Sequence, residues 1–364
     1  MALKPPFRAD HVGSLLRPPE LRAAHEKALA GRLAPEALRA LQDRYIREAI
    51  ALQEAVGLQP ITDGEFRRTS FHSDFIEKLE GARAGGSLTS AGQFGPRAFE
   101  VTGKLRWREA IEGESFRFLA AHTGRTPKQT MPSPTMLLRG GRSAVSTSAY
   151  PDLDEFHADI VAVYRGELRA LAALGCAYVQ LDDTNFAYLC DPRMQELFRA
   201  WGYSPDAVPM QFARLINAVI GARPPGMMVG IHVCRGNSSG QWAAQGAYEP
   251  VADVLFNAVD ADAYFLEYDD ERSGGFEPLR HFPRRADKRV VLGLVSSKRA
   301  DLESADALKR RIAEAARYVP LEQLCLSPQC GFASTFRGNP LTADAQRRKL
   351  ERIVEVASDV WGAQ

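Results

Sequence analysis

Predicted helices and strands alternate along this chain, and that alternation limits the folds it can adopt more than any other feature. Apolar residues recur at helical spacing from 34 to 56, Gly57 ends that run, and a short extended segment follows at 59–63. The same order returns downstream. Further helices are predicted at 152–174, 206–220 and 250–259 and after Ser304 and Thr342, and strands at 10–12, 59–63, 128–131, 177–181, 227–231, 263–266, 290–294 and 324–327.

About eight strands interleaved with helices favour one kind of α/β fold, a closed (β/α)8 barrel of the TIM type. An open doubly wound sheet is the alternative, but no Gly-x-Gly-x-x-Gly motif or P-loop follows any predicted strand. A chain of 364 residues suits one barrel domain over 1–364. The Gly-rich stretch 81–95, followed by alternating residues at 99–105, predicts a β-hairpin inserted near 81–110, after the second strand.

Polar residues directly follow most of the predicted strands. The clusters are His11-Val12-Gly13-Ser14, Asp63-Gly64-Glu65, Asp182-Asp183 and Ser297-Lys298. Enzymes built on this barrel carry their active sites at the C-terminal ends of the strands. We therefore expect these clusters to meet at one mouth of the barrel.

Three strand ends in the second half of the chain offer nitrogen, sulfur and oxygen donors. His232 and Cys234 follow one strand, Glu267 ends the next, and Cys330 follows the last. These are the ligand types of a tetrahedral Zn²⁺ site, and two thiolates favour zinc over magnesium or calcium. Buried structural thiols are the alternative interpretation. Closed structural zinc sites usually draw on short knuckles, so ligands this dispersed indicate a working metal at the barrel mouth.

The ligand set indicates what such a metal would do. Two thiolates and a carboxylate leave the site electron-rich, so a bound water would be only weakly activated. A thiol substrate fits better, because zinc lowers the pKa of a thiol and leaves the thiolate nucleophilic. Glu267 would be the ligand that an incoming sulfur displaces most easily.

The other clusters admit two interpretations each. Asp182, Asp183 and Glu65 could anchor an ammonium or hydroxyl group of a substrate, or they could be polar strand ends. The backbone N–H groups and hydroxyl of residues 11–14 could hold a carboxylate, or form a plain tight turn. Lys298 could point into the mouth or be a surface charge.

Composition excludes several classes of partner. The formal net charge is +1 and no basic tail is present, which argues against a nucleic-acid partner. No apolar run is long enough to span a bilayer, so we expect no membrane role. Five scattered cysteines indicate a reducing, cytoplasmic setting rather than a disulfide framework. The sequence leaves association into a homo-oligomer open.

Together these motifs resemble the catalytic domain of cobalamin-independent methionine synthase. The resemblance rests on ordered segments from the first strand to the end: residues 11–14, 61–65, 180–183 and 232–234, Glu267, and residues 327–332. It implies a (β/α)8 barrel and a zinc ion held by His232, Cys234, Glu267 and Cys330. It further implies that Val12, Gly13, Ser14, Glu65 and Asp182 hold the amino acid portion of homocysteine, whose thiolate takes a methyl group to give methionine.

Two departures from the family pattern concern the methyl donor. Lys298 stands where the family has a general-acid histidine, and the family's tryptophan near the third strand is absent from residues 132–135. We expect Lys298 to stabilise or protonate the leaving group, and the donor to be a folate, a corrinoid or another alkyl compound. Epoxide-to-thiol transfer of the coenzyme M type is an alternative. A zinc-loaded binding or sensor protein without turnover is another.

Overall fold

The computed structural model describes residues 5–87, 97–237 and 239–362. Its helices are α1 (Pro19–Leu29), α2 (Pro35–Ala55), α3 (Ser73–Ile76), α4 (Gly113–His122), α5 (Leu153–Ala173), α6 (Asn185–Tyr188), α7 (Pro192–Ala200), α8 (Val208–Ile220), α9 (Glu249–Asp253), α10 (Ala305–Ala315) and α11 (Ala343–Trp361). Its strands are β1 (Pro60–Ile61), β2 (Glu80–Ser87), β3 (Arg97–Arg106), β4 (Thr126–Pro127), β5 (Gln129–Pro132), β6 (Tyr178–Asp183), β7 (Met228–Val233), β8 (Ala263–Glu267), β9 (Arg289–Val295) and β10 (Leu324–Pro328).

Side-chain caps begin the helices where the sequence predicts them. The Ser304 hydroxyl accepts a hydrogen bond from the Ala307 N–H at 3.2 Å, and the Thr342 hydroxyl accepts one from the Ala345 N–H at 3.1 Å. These bonds satisfy N–H groups that have no partner within the first helical turn. The helix predicted at 250–259 is interrupted, because α9 ends at Asp253 and continues as a π-helical turn over Val254–Ala258.

Six strands form one parallel sheet in the order β10-β9-β8-β7-β6-β5. Two further segments extend it at either side: Ala9 forms a parallel bridge to Leu326 of β10, and β1 pairs in parallel with β4, which lies one residue before β5. The strand predicted at 10–12 is wrong in extent, since only the single bridge at Ala9 is formed. An α/β fold with a parallel sheet is therefore present.

The last junction of the predicted barrel, between the Ala9 segment and β1, shows no strand pairing among the described residues. It is made by the Thr62 hydroxyl, which donates to the Gly13 carbonyl at 2.6 Å, and by His11 Nε2, which lies 3.1 Å from the Pro60 carbonyl. Closure of the sheet into a barrel stays a prediction.

Two antiparallel strands lie after β1, in the region where the hairpin insertion is predicted. Strands β2 and β3 pair antiparallel, with Glu80 opposite Arg106 and Ala82 opposite Val101. Residues 88–95 of the Gly-rich stretch 81–95 lie outside the residues that the structure describes. None of the described helices combines the length and apolar character needed to cross a membrane.

The sheet has two faces of different character. Alternate residues such as Val179, Ile231 and Leu266 belong to the large apolar core. The residues between them form a smaller apolar cluster near the beginning of the strands, which consists of Phe7, Tyr178, Met228, Ala263, Phe265, Val291 and Cys325. Successive side chains of a strand point to opposite faces, so Asp182, His232 and Glu267 share the face of this smaller cluster. That face carries the candidate site at its C-terminal end.

A buried ion pair links the segment before α1 to the residue between β4 and β5. Lys128, between β4 and β5, donates to Asp10 Oδ1 at 2.9 Å, and neither side chain is exposed to solvent. The ammonium also donates to the His11 carbonyl at 2.6 Å, and the Tyr178 hydroxyl donates to Asp10 Oδ2 at 2.6 Å. Burial lowers the pKa of Lys128, so the charged pair depends on these partners.

We predict that Lys128→Met lowers the free energy of unfolding by about 3–5 kcal/mol, because it leaves the buried Asp10 carboxylate without its cation. Urea denaturation followed by circular dichroism measures the loss. The matched control is the double variant Asp10→Asn/Lys128→Met, which buries no unpaired charge and should be more stable than Lys128→Met alone. A double variant less stable than the single one would contradict this account of the pair.

Candidate metal centre and cavity

The structure brings the four predicted metal ligands together. His232 and Glu267 lie near the C-terminal ends of β7 and β8, while Cys234 and Cys330 lie just beyond β7 and β10. One ligand atom from each residue lies within 4.8 Å of the others, and all four residues are buried. The two sulfur atoms are 3.4 Å apart. Side chains separated by up to 98 residues thus form one compact donor set.

The donor set fits a zinc ion. Tetrahedral Zn–S bonds of about 2.3 Å place two sulfurs about 3.8 Å apart, which is close to the spacing here. Among the described residues, neither ring nitrogen of His232 nor Glu267 Oε1 has a hydrogen-bond partner. Buried polar atoms are rarely left unpaired, so the unprotonated ring nitrogen of His232 and Glu267 Oε1 call for a partner that accepts their lone pairs. A divalent cation meets that need for the histidine nitrogen and the carboxylate oxygen together.

Two arginines that sequence reasoning missed lie behind Glu267. Arg272 Nη2 is 3.4 Å and Arg235 Nη1 is 3.8 Å from Glu267 Oε2. Arg235 is fully buried and also donates to the Glu267 carbonyl and to the Tyr248 hydroxyl. The two guanidinium groups orient the carboxylate and offset the negative charge of the donor set. Arg235 could have been suspected from its place directly after Cys234.

The two thiols share one hydrogen bond, and this makes them unequal. The hydrogen bond from the Cys234 thiol holds the pKa of Cys330 well below its usual value. Nearby His232 also lowers this pKa, and the two effects together outweigh burial, which raises it. The same bond raises the pKa of Cys234. One sulfur of the pair is therefore ready to act as a thiolate ligand.

A cavity of about 660 Å³ opens beside these ligands. His232, Cys234 and Cys330 form part of its wall, and the other predicted site residues that line it are Val12, Ser14, Glu65 and Asp182. A volume of this size suits one or two small molecules. Four of the predicted substrate residues and three of the four predicted metal ligands thus face one space, while Glu267 is not among the residues that line it.

Glu65 and Asp182 form an acidic pair in the cavity wall. Glu65 has a φ of 61°, which only glycine adopts readily, and such strain is concentrated at functional sites. Its carboxylate accepts from the Thr130 hydroxyl at 2.8 Å and lies 3.4 Å from Arg68. Burial raises the pKa of both carboxyl groups, and with the added repulsion of Glu65 the pKa of Asp182 reaches about 7. A cation placed between the two groups would be strongly stabilised.

The turn predicted to hold a carboxylate is built tightly. Gly13 has a φ of 134°, and a Cβ there would lie 2.6 Å from Thr130 Cγ2, so only glycine fits. Ser14 Oγ accepts from the Ala333 N–H at 3.3 Å, beside Gly331, which follows the predicted metal ligand Cys330. Gly13 itself does not line the cavity, whereas Val12 and Ser14 on either side of it do.

The side chains of two predicted site residues, Asp183 and Lys298, are engaged with partners away from the cavity. Asp183 follows Asp182 in β6 and therefore points to the opposite face, where it accepts from the Thr135 hydroxyl and from the Phe186 N–H. Lys298 Nζ binds Asp269 and Asp270, each at 2.8 Å. Neither Asp183 nor Lys298 is among the residues that line the cavity. A position at the end of a strand therefore does not by itself predict whether a side chain points into the cavity.

Several cavity residues escaped sequence reasoning. Ser70 and His72 line the wall, and the Ser70 hydroxyl lies 2.8 Å from His72 Nδ1. Arg139 and Tyr188 line it as well, after the ends of β5 and β6. Arg139 had a usable signal, since it follows the third strand by only seven residues, whereas nothing in the sequence around residues 70–72 marked that segment.

The comparisons with known proteins agree on one family. Residues 7–359 match the family model described as "Cobalamin-independent synthase, Catalytic domain". The uncharacterized protein YxjH of Bacillus subtilis is 43% identical over 98% of this chain and 96% of its own length. A methionine synthase of Pyrococcus abyssi is 24% identical over 88% of this chain and 85% of its own. The crystal structure of a Listeria monocytogenes protein assigned as a vitamin-B12 independent methionine synthase is 37% identical, covers 98% of both chains and has a TM-score of 0.80.

We predict that Cys330→Ala lowers the zinc content of the purified protein severalfold, because one of four ligands is removed. Cys325→Ala is the matched control. It removes a buried thiol of β10, the strand that precedes Cys330, in the smaller apolar cluster away from the predicted ligands. Metal analysis by mass spectrometry should show near-stoichiometric zinc in the wild type and in Cys325→Ala. Equal zinc in both variants would contradict the proposed ligand set.

Proposed function

This chain belongs to the cobalamin-independent methionine synthase family and matches the catalytic domain of that family. We propose that it is a zinc-dependent transferase that moves a methyl or other alkyl group to a small thiol. We propose homocysteine as the thiol and methionine as the product. The observation that carries this proposal is the convergence of His232, Cys234, Glu267 and Cys330 within 4.8 Å, beside a cavity with an acidic wall.

The donor set supports thiol chemistry. When bound, Zn²⁺ lowers the pKa of a coordinating thiol, so that the thiol is a thiolate near neutral pH. His232, Cys234 and Cys330 would hold the ion by strong donors. Arg272 and Arg235 lie behind Glu267 and compete for its carboxylate, which would make Glu267 the donor that an incoming sulfur replaces most readily.

The acidic pair supports an amino acid as the thiol substrate. Glu65 and Asp182 are buried carboxyl groups whose pKa values are raised by burial, and Glu65 raises that of Asp182 further, so a substrate ammonium between them would relieve this repulsion. Ser14 lies at the same wall, beside Cys330, where its hydroxyl and the turn at residues 12–14 can hold the carboxylate of the same molecule. Homocysteine carries a thiol, an ammonium and a carboxylate, and so matches all three features.

The proposed role of Lys298 as an acid receives no support from its position. Its ammonium is directed at Asp269 and Asp270 rather than at the cavity. Protonation or stabilisation of the leaving group is accordingly open to the groups that do face the cavity. For the fold, we propose that the eight strand segments close into a (β/α)8 barrel, since one junction alone lacks backbone pairing among the described residues.

The function is tested by counting protons. Homocysteine is titrated calorimetrically into the zinc-loaded protein at pH 7, in two buffers of different ionisation enthalpy. Release of about one proton per homocysteine is expected, because the thiol ionises on binding. Tighter binding of 2-mercaptoethanesulfonate would favour the coenzyme M alternative. Binding of neither thiol with proton release would contradict the proposal.

Turnover is then measured by mass spectrometry of methionine, with 5-methyltetrahydrofolate or methylcobalamin supplied as donor. Methionine formed by the wild type and not by Cys330→Ala would support transfer at the zinc site. A zinc-loaded protein that binds homocysteine but gives no product with either donor would favour the binding or sensor alternative.

The two neighbouring aspartates provide a matched pair of variants. Asp182→Asn should weaken homocysteine binding by about 10- to 100-fold, because it removes a charged partner of the substrate ammonium, and it should not lower stability, since it relieves repulsion with Glu65. Asp183→Asn should leave binding unchanged and lower the free energy of unfolding by about 1–3 kcal/mol, because an amide cannot accept both of its hydrogen bonds. Calorimetry and urea denaturation separate the two effects, and the reverse result would contradict the assignment of faces.

A further inference from the structure

The cavity wall contains one buried arginine without a carboxylate partner. Arg139 is 3% exposed, and no carboxylate oxygen of a described residue forms an ion pair with it within 4.0 Å. A buried charge that is not paired is costly, and proteins rarely retain one without a use. Burial lowers the pKa of Arg139, yet a guanidinium stays protonated in proteins, so the positive charge persists at the wall.

Other buried arginines of this chain are neutralised by different means. Arg68 lies 3.1 Å from Glu112, and Arg272 lies 3.4 Å from Glu267. Arg17 has no carboxylate either, but it donates to four backbone carbonyls. Arg139 has neither arrangement in the described part of the chain. Asp183 acts on Arg139 electrostatically without forming an ion pair, and its carboxylate already accepts hydrogen bonds from Thr135 and Phe186.

Neutral groups hold Arg139 in a fixed orientation. Nε donates to Asn185 Oδ1 at 2.9 Å, and Nη2 donates to the Thr184 hydroxyl. The guanidinium carbon lies 5.1 Å from the ring centre of Tyr188, and the Tyr188 hydroxyl forms a further hydrogen bond with the guanidinium. These contacts use three of the five N–H groups of the guanidinium. They position the cation without neutralising it, and leave the remaining N–H groups for a ligand.

We propose that Arg139 binds an anionic group, a carboxylate, sulfonate or phosphate, of a molecule that occupies the cavity. This inference rests on the proposed function, and it assigns the anion to the methyl or alkyl donor. The reason is that Glu65, Asp182 and Ser14 already account for the ammonium and carboxylate of an amino acid acceptor. A cavity of about 660 Å³ has room for a second small molecule. The donor is therefore an anionic compound recognised by a planar, bidentate cation.

Calorimetry with inorganic phosphate as the probe tests this inference. Phosphate is titrated into zinc-loaded protein saturated with homocysteine, using wild type, Arg139→Gln, Arg139→Lys and the control Arg214→Gln, which removes an exposed arginine of α8. We expect Arg139→Gln to bind phosphate about 10- to 100-fold more weakly, since a hydrogen-bonded charge is lost. Arg139→Lys should restore part of the affinity, and Arg214→Gln should match the wild type. No phosphate binding by the wild type, or equal binding by Arg139→Gln, would overturn the assignment to the donor.

A second arm identifies the source of the anion. The affinities of homocysteine and of 3-aminopropane-1-thiol, which lacks the carboxylate, are compared in wild type and Arg139→Gln. An unchanged preference for homocysteine supports an anion on the donor, whereas loss of that preference would show that Arg139 holds the acceptor carboxylate and would overturn the donor assignment. Proton release on homocysteine binding reports on the proposed function separately, so the two can fail independently.

Stability of the variants provides the structural control. Glutamine can still donate to Asn185 Oδ1, and no ion pair is lost, so Arg139→Gln should keep the melting temperature of the wild type. If Arg139→Gln does not fold, Arg139→Lys carries the same comparison, with a smaller loss of phosphate affinity expected because lysine is a point charge.

Discussion

The parallel alignment of β5 to β10 is the constraint on which the site depends. Because all these strands run in one direction, their C-terminal ends meet at one edge, and the register sets Asp182 beside His232 and Glu267 beside Gly293. The period of two then decides which side chains face the cavity. A shift of one residue in β7 or β8 would turn His232 or Glu267 toward the apolar core and leave the metal ligands apart.

Charged groups at this edge of the sheet are partly neutralised by neighbouring residues of opposite charge. The donor set of two thiols, a carboxylate and an imidazole is backed by Arg235 and Arg272, which partly neutralise it from behind. On the opposite side, Glu65 is steadied by Thr130 and Arg68 while it repels Asp182. The charges that remain unneutralised, on the pair Glu65 and Asp182 and on Arg139, lie at the cavity wall. The ammonium of a substrate would neutralise the acidic pair, and a bound anion would neutralise Arg139.

Local patterns in the sequence predicted much of this structure. The caps at Ser304 and Thr342 are set by neighbouring residues, and the structure places both as predicted. The convergence of His232, Cys234, Glu267 and Cys330 could be predicted because each lies at or just beyond the C-terminal end of a strand in one parallel sheet. These features need no knowledge of distant contacts.

The rest depends on tertiary contacts that spacing does not reveal. The sequence could not distinguish Asp182 from Asp183, since the direction of each depends on where β6 begins in the sheet. It could not show that Lys298 pairs with Asp269, or that Arg139 lacks such a partner, because both facts depend on neighbours from other strands. The first strand is predicted too long because the Asp10 side chain pairs with Lys128 and the backbone after Ala9 does not continue its pairing with β10.

X-ray absorption at the zinc edge, with and without homocysteine, tests the central claim most directly. Without the thiol, the first shell should contain two sulfur atoms together with nitrogen and oxygen ligands from the four residues. With homocysteine, a third sulfur should enter and one oxygen should leave. A shell that does not change on addition of homocysteine, or a metal bound without sulfur, would contradict the account.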